Sequence, residues 1–187
     1  NTIDLNTYDP TKDTGVNSLS VQKAAIQIAN ILTVISSING VSSNVVLSAI
    51  ATNFTSNLNL TDSTFLTTII ENSLTNAKLT TTLSSSDIAI SLANINNLIK
   101  DATTLESVIA LQEIAQDNLY TAIEKRDTTT IKDLKDKEII TNTANSKNDI
   151  TAPVLTLETL EDIVLSESDE KSSFTQNYTA SDDVKLK

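Results

Sequence analysis

Apolar residues near the start of the chain recur at the spacing of an amphipathic α-helix, and this pattern most constrains the fold. The positions follow a 4-3-4-3 spacing and comprise Val21, Ala25, Ile28, Leu32 and Ile35. Residues three and four apart share one face of a helix, and Ala24, Ile31 and Ile38 widen this face. The pattern predicts a helix that buries this face, either in the core of a bundle or as a coiled-coil seam for a partner.

Four more helices are predicted after the first. The expected ranges of all five helices, beginning with the first, are Ser18 or Ser20 to Asn39-Gly40, Ser43 to Phe54, Asp62 to Leu74, Ser85 or Ser86 to Ala102, and Thr103 to Arg126. The apolar stripe of the fourth helix comprises Ile88, Leu92, Ile95, Ile99 and Ala102. The apolar stripe of the fifth comprises Leu105, Val108, Ile109, Ala115, Leu119 and Ala122. Ser85 or Ser86 is expected to cap the fourth helix, and Thr103 to form a capping box with Glu106.

These helices define a mainly α fold: an up-and-down helical bundle of about five helices, followed by a short β-rich C-terminal segment. The net charge falls from −2 over residues 1–100 to −5 over residues 151–187, which indicates a change of module near residue 150. We therefore expect a lead-in over residues 1–17, the bundle over 18–126, and a polar linker over 127–150 with a possible short helix. Residues 151–187 are expected to form a truncated β-sandwich-like segment, because their side chains alternate as in a strand.

The composition weighs against several classes of function. Cys and His are absent, so thiol chemistry, zinc sites and imidazole catalysis are not expected. A net charge of −11 disfavours nucleic acid, and the lack of a long apolar run disfavours membrane insertion. Aromatic residues make up only 3% of the chain, which argues against a ring-stacking face for sugars or bases. We expect a protein that is not an enzyme.

Carboxylates at three positions are candidate calcium ligands. Asp182 and Asp183, with Asp149, supply the hard oxygen donors that Ca²⁺ requires. The stretch Asp9–Gly15 has two carboxylates and a glycine, but it lacks the spacing of an EF-hand loop. An ordinary solvated turn is the simpler explanation of either cluster. Calcium is thus the one cofactor that the sequence leaves open, and no catalytic residue is predicted.

Two parts of the chain resemble segments of known surface proteins. The stretches Thr151–Leu157 and Ala180–Asp183 resemble the strand and turn that open bacterial immunoglobulin-like or cadherin-like repeats. The Ser/Thr/Asn-rich helical stretch Asp13–Leu32 resembles the helical segments of large secreted bacterial adhesins. The resemblance implies an extracellular or cell-surface location, a role in adhesion, and calcium at the junctions between repeats. It implies no catalytic residues.

The expected function is therefore a non-catalytic structural or adhesive module of an exported bacterial cell-surface protein. Its expected partner is a protein or a glycan on another surface, and the sequence does not give the oligomeric state. One alternative is a self-assembling helical module of a filament, S-layer or tail structure. The other alternative is a calcium-dependent binding module, in which Ca²⁺ would stabilise the folded state.

Overall fold

A computed structural model of the chain describes residues 16–53, 59–148, 154–157 and 178–181. The chain divides into two compact units, Asn1–Asn148 and Asp149–Lys187. The first unit is helical throughout its described part, so the prediction of a mainly α fold is confirmed. The boundary between the two units coincides with the change of charge near residue 150.

The first unit contains eight α-helices and one π-helical segment in the residues that the structure describes. They are α1 (Val16–Ser36), α2 (Ser43–Asn53), α3 (Ser63–Ala77), α4 (Ser85–Asp101), α5 (Leu105–Glu113), the π segment (Ile114–Leu119), α6 (Tyr120–Glu124), α7 (Thr128–Asp133) and α8 (Lys137–Asn148). Helix α5, the π segment and α6 follow one another without a break. The predicted fifth helix is therefore one helical run with a π-helical interruption.

Helix α4 lies at the centre of the unit and packs against α1, α3, α5, α7 and α8. Four residues of its predicted stripe, Ile88, Leu92, Ile95 and Ile99, are fully buried, and the fifth, Ala102, follows the helix and is partly buried. Helices α1 and α4 run in opposite directions. Lys23 bonds to the carbonyl of Lys100, and Gln27, further along α1, bonds to the carbonyl of Asn96, which lies earlier in α4.

The helix boundaries follow local capping signals. Asn39 and Gly40 adopt φ angles of 52° and 75°, which confirms the predicted left-handed stop after α1. Asp62 caps α3 by accepting hydrogen bonds from the backbone N–H groups of Thr64 and Phe65. Helix α2 follows its prediction from Ser43 onward, and the expected last residue, Phe54, lies outside the described residues.

Two predicted caps were wrong by one or two positions. Ser84, not Ser85 or Ser86, caps α4, because its hydroxyl accepts from the N–H of Asp87. Thr104, not Thr103, caps α5, because its hydroxyl accepts from the N–H of Ser107. A capping box needs the acidic residue three positions after the cap. With Thr104 as the cap that position holds a serine, so the predicted box with Glu106 does not form.

The structure differs from the prediction over residues 127–148, where the sequence suggests a polar linker. Asp127 caps α7 by accepting from the N–H groups of Thr129 and Thr130. The few apolar side chains of α7, α8 and the turn between them all reach the core except Ile139. The buried ones are Ile131, Leu134, Ile140 and Ala144. A cap and four buried side chains thus suffice to extend the helical unit to residue 148.

The predicted apolar face of α1 is correct from Ile31 onward and wrong before it. Ile31, Ile35 and Ile38 are fully or almost fully buried. Ala24 and Ala25 are exposed, and Ile28 is 37% exposed. The residues of α1 buried before Ile31 include Gln27 and Asn30 instead. Gln27 donates to the backbone carbonyl of Asn96, and Asn30 bonds to the side-chain amides of Asn96 and Gln116.

The second unit has two described strands, β1 (Val154–Leu157) and β2 (Tyr178–Ser181). They pair antiparallel, with Val154 opposite Ser181 and Leu157 opposite Tyr178. The rest of the predicted truncated β-sandwich, like most of the predicted lead-in over residues 1–17, lies outside the described residues.

Candidate functional site

A chain of hydrogen-bonded amides lies inside the helical unit between α1, α4 and the π segment. Gln116 Nε2 donates to Asn30 Oδ1 at 3.1 Å. Asn30 Nδ2 lies 3.4 Å from Asn96 Oδ1, and Asn96 Nδ2 donates to the carbonyl of Leu60 at 2.9 Å. Gln27 Nε2 donates to the carbonyl of Asn96 at 2.8 Å. We call these four side chains, Gln27, Asn30, Asn96 and Gln116, the amide network.

Burial makes this network sensitive to change. Asn30 and Asn96 are fully buried, and Gln27 is 8% exposed. A buried amide without a partner costs about 1–3 kcal/mol, so each side chain depends on the others. The network is also uncharged, so it links the helices without the desolvation cost that buried ions carry.

The π segment places Gln116 in the network. A π turn accommodates one extra residue, which changes the face that the following side chains present. Ile114, Ala115 and Leu119 of this segment are buried in the core, while Gln116 reaches Asn30 of α1. Gln112, one turn earlier, donates to Gln116 Oε1 at 3.2 Å. The segment thus provides both aliphatic packing and the polar contact with α1.

The network holds the short segment before α3 against α4. Asn96 bonds to the carbonyl of Leu60, and its neighbour Asn97 donates to the carbonyl of Thr61 at 3.3 Å. Within this segment, Asn59 Oδ1 accepts from the N–H of Thr61 at 3.1 Å and from its hydroxyl at 2.7 Å. Side-chain hydrogen bonds therefore hold this turn against α4 and also stabilise it internally.

A groove of about 420 Å³ opens on the surface above Gln27. Its lining residues are Ala24, Gln27, Ile28, Asn59, Leu60, Thr61 and Lys100. We call it the α1 groove. Ala24, Ile28 and Leu60 make its lining partly aliphatic, and the exposed Ile28 found in place of a core residue is part of this lining.

One lysine lines the α1 groove, and a second bonds to its backbone carbonyl. Lys100 lines the groove, and Lys23 Nζ donates to the carbonyl of Lys100 at 3.0 Å, near the C-terminus of α4. The two ion pairs between described residues join Lys135 to Asp87 and Lys147 to Glu113. Neither Lys23 nor Lys100 is in an ion pair within this described part of the chain.

Two smaller depressions lie elsewhere on the unit. One of about 220 Å³ lies between the end of α4, α5 and α8, and Asp101 and Thr141 contribute to its lining. One of about 350 Å³ lies beside α7, where Asp117 and Asp127 contribute to its lining. The hydroxyl and N–H of Thr130 bond to Asp127 and lower the pKa of its carboxyl. This carboxylate is therefore already engaged in capping α7.

The calcium candidates cannot be placed, since Asp149, Asp182, Asp183 and the stretch Asp9–Gly15 lie outside the described residues. Among the described residues, no group of three or more His, Cys, Asp or Glu side chains is arranged to hold a metal ion. Calcium binding by Asp149, Asp182 and Asp183 stays a prediction. The sequence did not predict the α1 groove, because its lining comes from residues far apart in the chain, and these residues match no sequence motif.

Helix α1 is long and apolar enough over Ser18–Ser36 to cross a membrane by length and composition alone, with a mean hydropathy of 1.3. Core helices and signal sequences have the same properties. In the structure this helix packs against α2, α4 and α5 and buries Gln27 and Asn30.

Comparison of the chain with protein-family models, curated proteins and solved structures found no match.

Proposed function

We propose that the chain is a non-catalytic structural or adhesive module of an exported bacterial cell-surface protein. The observation that carries this proposal is the use of its polar side chains. In the described helical unit the buried amides bond to one another, and many surface hydroxyls bond to their own helix. The buried amides hold the helices together, and the surface hydroxyls are used within their own helices.

Seven hydroxyl groups of the helices share one bonding pattern. Each donates to the carbonyl four residues earlier in its own helix, and the set comprises Thr52, Thr67, Thr68, Thr75, Thr141, Thr143 and Ser146. A hydroxyl that donates to its own backbone is not donating to a general base, as an activated nucleophile must. This pattern supports a structural surface.

The titratable side chains with a shifted pKa have structural partners. The hydrogen bond and charge of Lys135 lower the pKa of Asp87, which lies in the first turn of α4. The hydrogen bond from the Tyr120 hydroxyl to Glu124 raises the pKa of that tyrosine. Catalytic acids and bases also have shifted pKa values. Here an ion pair between α4 and the turn after α7, and a contact within α6, account for the shifts.

Surface labelling of intact cells tests this proposal. Antibodies against residues 16–148 are expected to label intact cells of the source bacterium, and external protease is expected to remove the label. Deletion of the coding region for the helical unit is expected to reduce attachment of the cells to a surface. Labelling that requires permeabilised cells would contradict the proposed location, and unchanged attachment would contradict the adhesive role.

A self-assembling helical module is the second candidate, because two apolar residues of α5 that were predicted to be buried are exposed. Leu105 is 39% exposed and Ile109 is 44% exposed. They are four residues apart and therefore share one face of α5. Sedimentation of the full chain over a range of concentrations tests this candidate. Assembly that Ile109→Asn abolishes and Ile139→Asn preserves would support it, and a monomer at all concentrations would contradict it.

A further inference from the structure

Asn39 and Gly40, which form the stop after α1, are the one Asn-Gly pair in the sequence. An asparagine followed by glycine is chemically labile, because the backbone nitrogen of the glycine can attack the side-chain amide carbon. Glycine has no side chain that would hinder this approach. Both residues are exposed to solvent. The stop after α1 is therefore a place where the chain can react with water without an enzyme.

The turn leaves the attacking nitrogen open. A Cβ atom at Gly40 would meet no heavy atom within 4 Å outside its two chain neighbours. The N–H of Gly40 forms no hydrogen bond with the residues that the structure describes. Water or hydroxide can therefore reach this N–H and remove its proton, so the nucleophile of the reaction is not engaged by the fold.

The side chain of Asn39, in contrast, is restrained. Asn39 Nδ2 donates a hydrogen bond to the backbone carbonyl of Thr80, in the connection between α3 and α4. The two residues are 41 positions apart, so this bond joins the turn after α1 to a distant part of the helical unit. Ring closure turns the amide toward its own backbone and expels Nδ2, so the bond to Thr80 must break first.

We propose that Asn39 is a spontaneous deamidation site that the folded chain protects. The nitrogen of Gly40 gives up its proton through water and bonds to Cγ of Asn39. The Cγ–Nδ2 bond breaks, and the departing nitrogen takes up a proton and leaves as ammonia. The five-membered imide then adds one water and opens to aspartate or isoaspartate. The net reaction consumes one water and releases one ammonia, and it does not depend on the function proposed above.

Deamidation removes the bond between the turn after α1 and the connection between α3 and α4. A carboxylate at position 39 has no N–H to donate, and its oxygens repel the carbonyl oxygen of Thr80. Isoaspartate also lengthens the main chain by one atom, at a turn where Asn39 and Gly40 both have positive φ angles. The modified chain is therefore expected to unfold more readily.

Peptide mapping by mass spectrometry tests the site. The full chain is incubated at mildly alkaline pH, folded in buffer and unfolded in guanidinium chloride, and loss of the Asn39 amide is followed with time. In guanidinium chloride Asn39 is expected to be the first asparagine to react. In the folded chain its reaction is expected to be at least about tenfold slower, since a hydrogen bond must break first. Gly40→Ala is expected to slow the reaction in guanidinium chloride, where folding of the variant has no influence.

Thermal unfolding of Asn39→Asp tests the bond to Thr80. This variant is expected to have a lower midpoint than the unmodified chain and than Asn142→Asp, which adds the same charge at an exposed position of α8. Three results would each overturn the proposal. They are another asparagine that reacts first in guanidinium chloride, equal rates for Asn39 in the folded and unfolded chain, and equal midpoints for the two variants.

Discussion

Helix α1 packs with different chemistry before Ile31 and from Ile31 onward. From Ile31 to the end of the helix the buried residues Ile31, Val34 and Ile35 are aliphatic. Before Ile31 the buried residues include Gln27 and Asn30, and the isoleucine between them is partly exposed. Aliphatic packing tolerates small changes in geometry, whereas hydrogen-bonded amides require particular partners. The comparison shows that an apolar stripe locates a core only where the core is aliphatic.

The largest effect is expected from shortening a buried side chain in the aliphatic part of α1, from Ile31 onward. Ile35→Ala should lower the free energy of unfolding by about 3–4 kcal/mol, because it leaves a cavity at a fully buried site. Ile28→Ala is the matched control in the part of α1 before Ile31. It should lower the free energy of unfolding by less than about 1 kcal/mol, because Ile28 is 37% exposed. Urea unfolding followed by circular dichroism measures both. Equal losses of unfolding free energy in the two variants would indicate that Ile28 is buried, as the sequence predicts.

The amide network is tested by replacing Asn96, its member on α4, with an isosteric apolar residue. Asn96→Leu should cost about 2–3 kcal/mol, since Asn30 loses its acceptor and the carbonyl of Leu60 loses its donor. The same change at Asn76, which is exposed on α3, should cost little. The same urea unfolding measures both variants. An Asn96→Leu protein more stable than the unmodified chain would contradict this account, because it would show that aliphatic packing can replace the amide network.

Two buried serines extend the comparison to hydroxyls with and without partners. Ser73 Oγ is buried with no hydrogen-bond partner among the described residues. Ser91 Oγ donates to the carbonyl of Ile131 at 2.7 Å. Ser73→Ala should therefore raise the free energy of unfolding by about 1 kcal/mol, and Ser91→Ala should lower it by about 1 kcal/mol. Changes of the same sign in thermal unfolding would be evidence against this assignment of partners.

The smallest effect is expected from the charged contact between α4 and the turn after α7. Lys135 Nζ lies 2.6 Å from Asp87 Oδ1 and lowers the pKa of this carboxyl in the folded state. The contribution is therefore complete above the unfolded pKa, about 3.9, and is lost as the pH falls through the lower folded pKa. For a partly exposed pair it should amount to about 0.5–1 kcal/mol.

Lys135→Gln tests this contact through its pH dependence. The variant should be less stable than the unmodified chain at pH 6, and the difference should disappear as the carboxylate becomes protonated in acid. Lys78→Gln serves as the control, because Lys78 has no carboxylate partner among the described residues. A difference that stays constant with pH would show that Lys135 acts through packing alone.

Much of the fold could be predicted from local patterns. The core stripe of α4, the cap of α3 at Asp62 and the stop at Asn39-Gly40 follow from apolar spacing and capping chemistry. Where α7 and α8 lie, the sequence predicts a polar linker with at most a short helix, because four buried side chains in a polar stretch give a weak periodic signal. The capping residue Asp127 is a local signal for the start of α7.

The candidate site could not be predicted, for a physical reason. The partner of Asn30 is Gln116, 86 residues later, and a buried amide looks like a surface amide in the sequence. No spacing rule connects such residues, since each is satisfied only after the helices pack. The α1 groove likewise combines Lys100 with Asn59 and Ile28. Interiors built from amides and surfaces built from distant residues are visible only in three dimensions.

Hydrogen exchange of side-chain amides measured by ¹⁵N NMR tests the amide network most directly. The Nδ2 protons of Asn96 and Asn30 are expected to exchange with solvent far more slowly than those of exposed Asn76, because both side chains are fully buried and hydrogen-bonded. Protection that disappears from Asn30 in the Asn96→Leu variant would support the account further. Exchange of Asn96 as fast as that of Asn76 would contradict it.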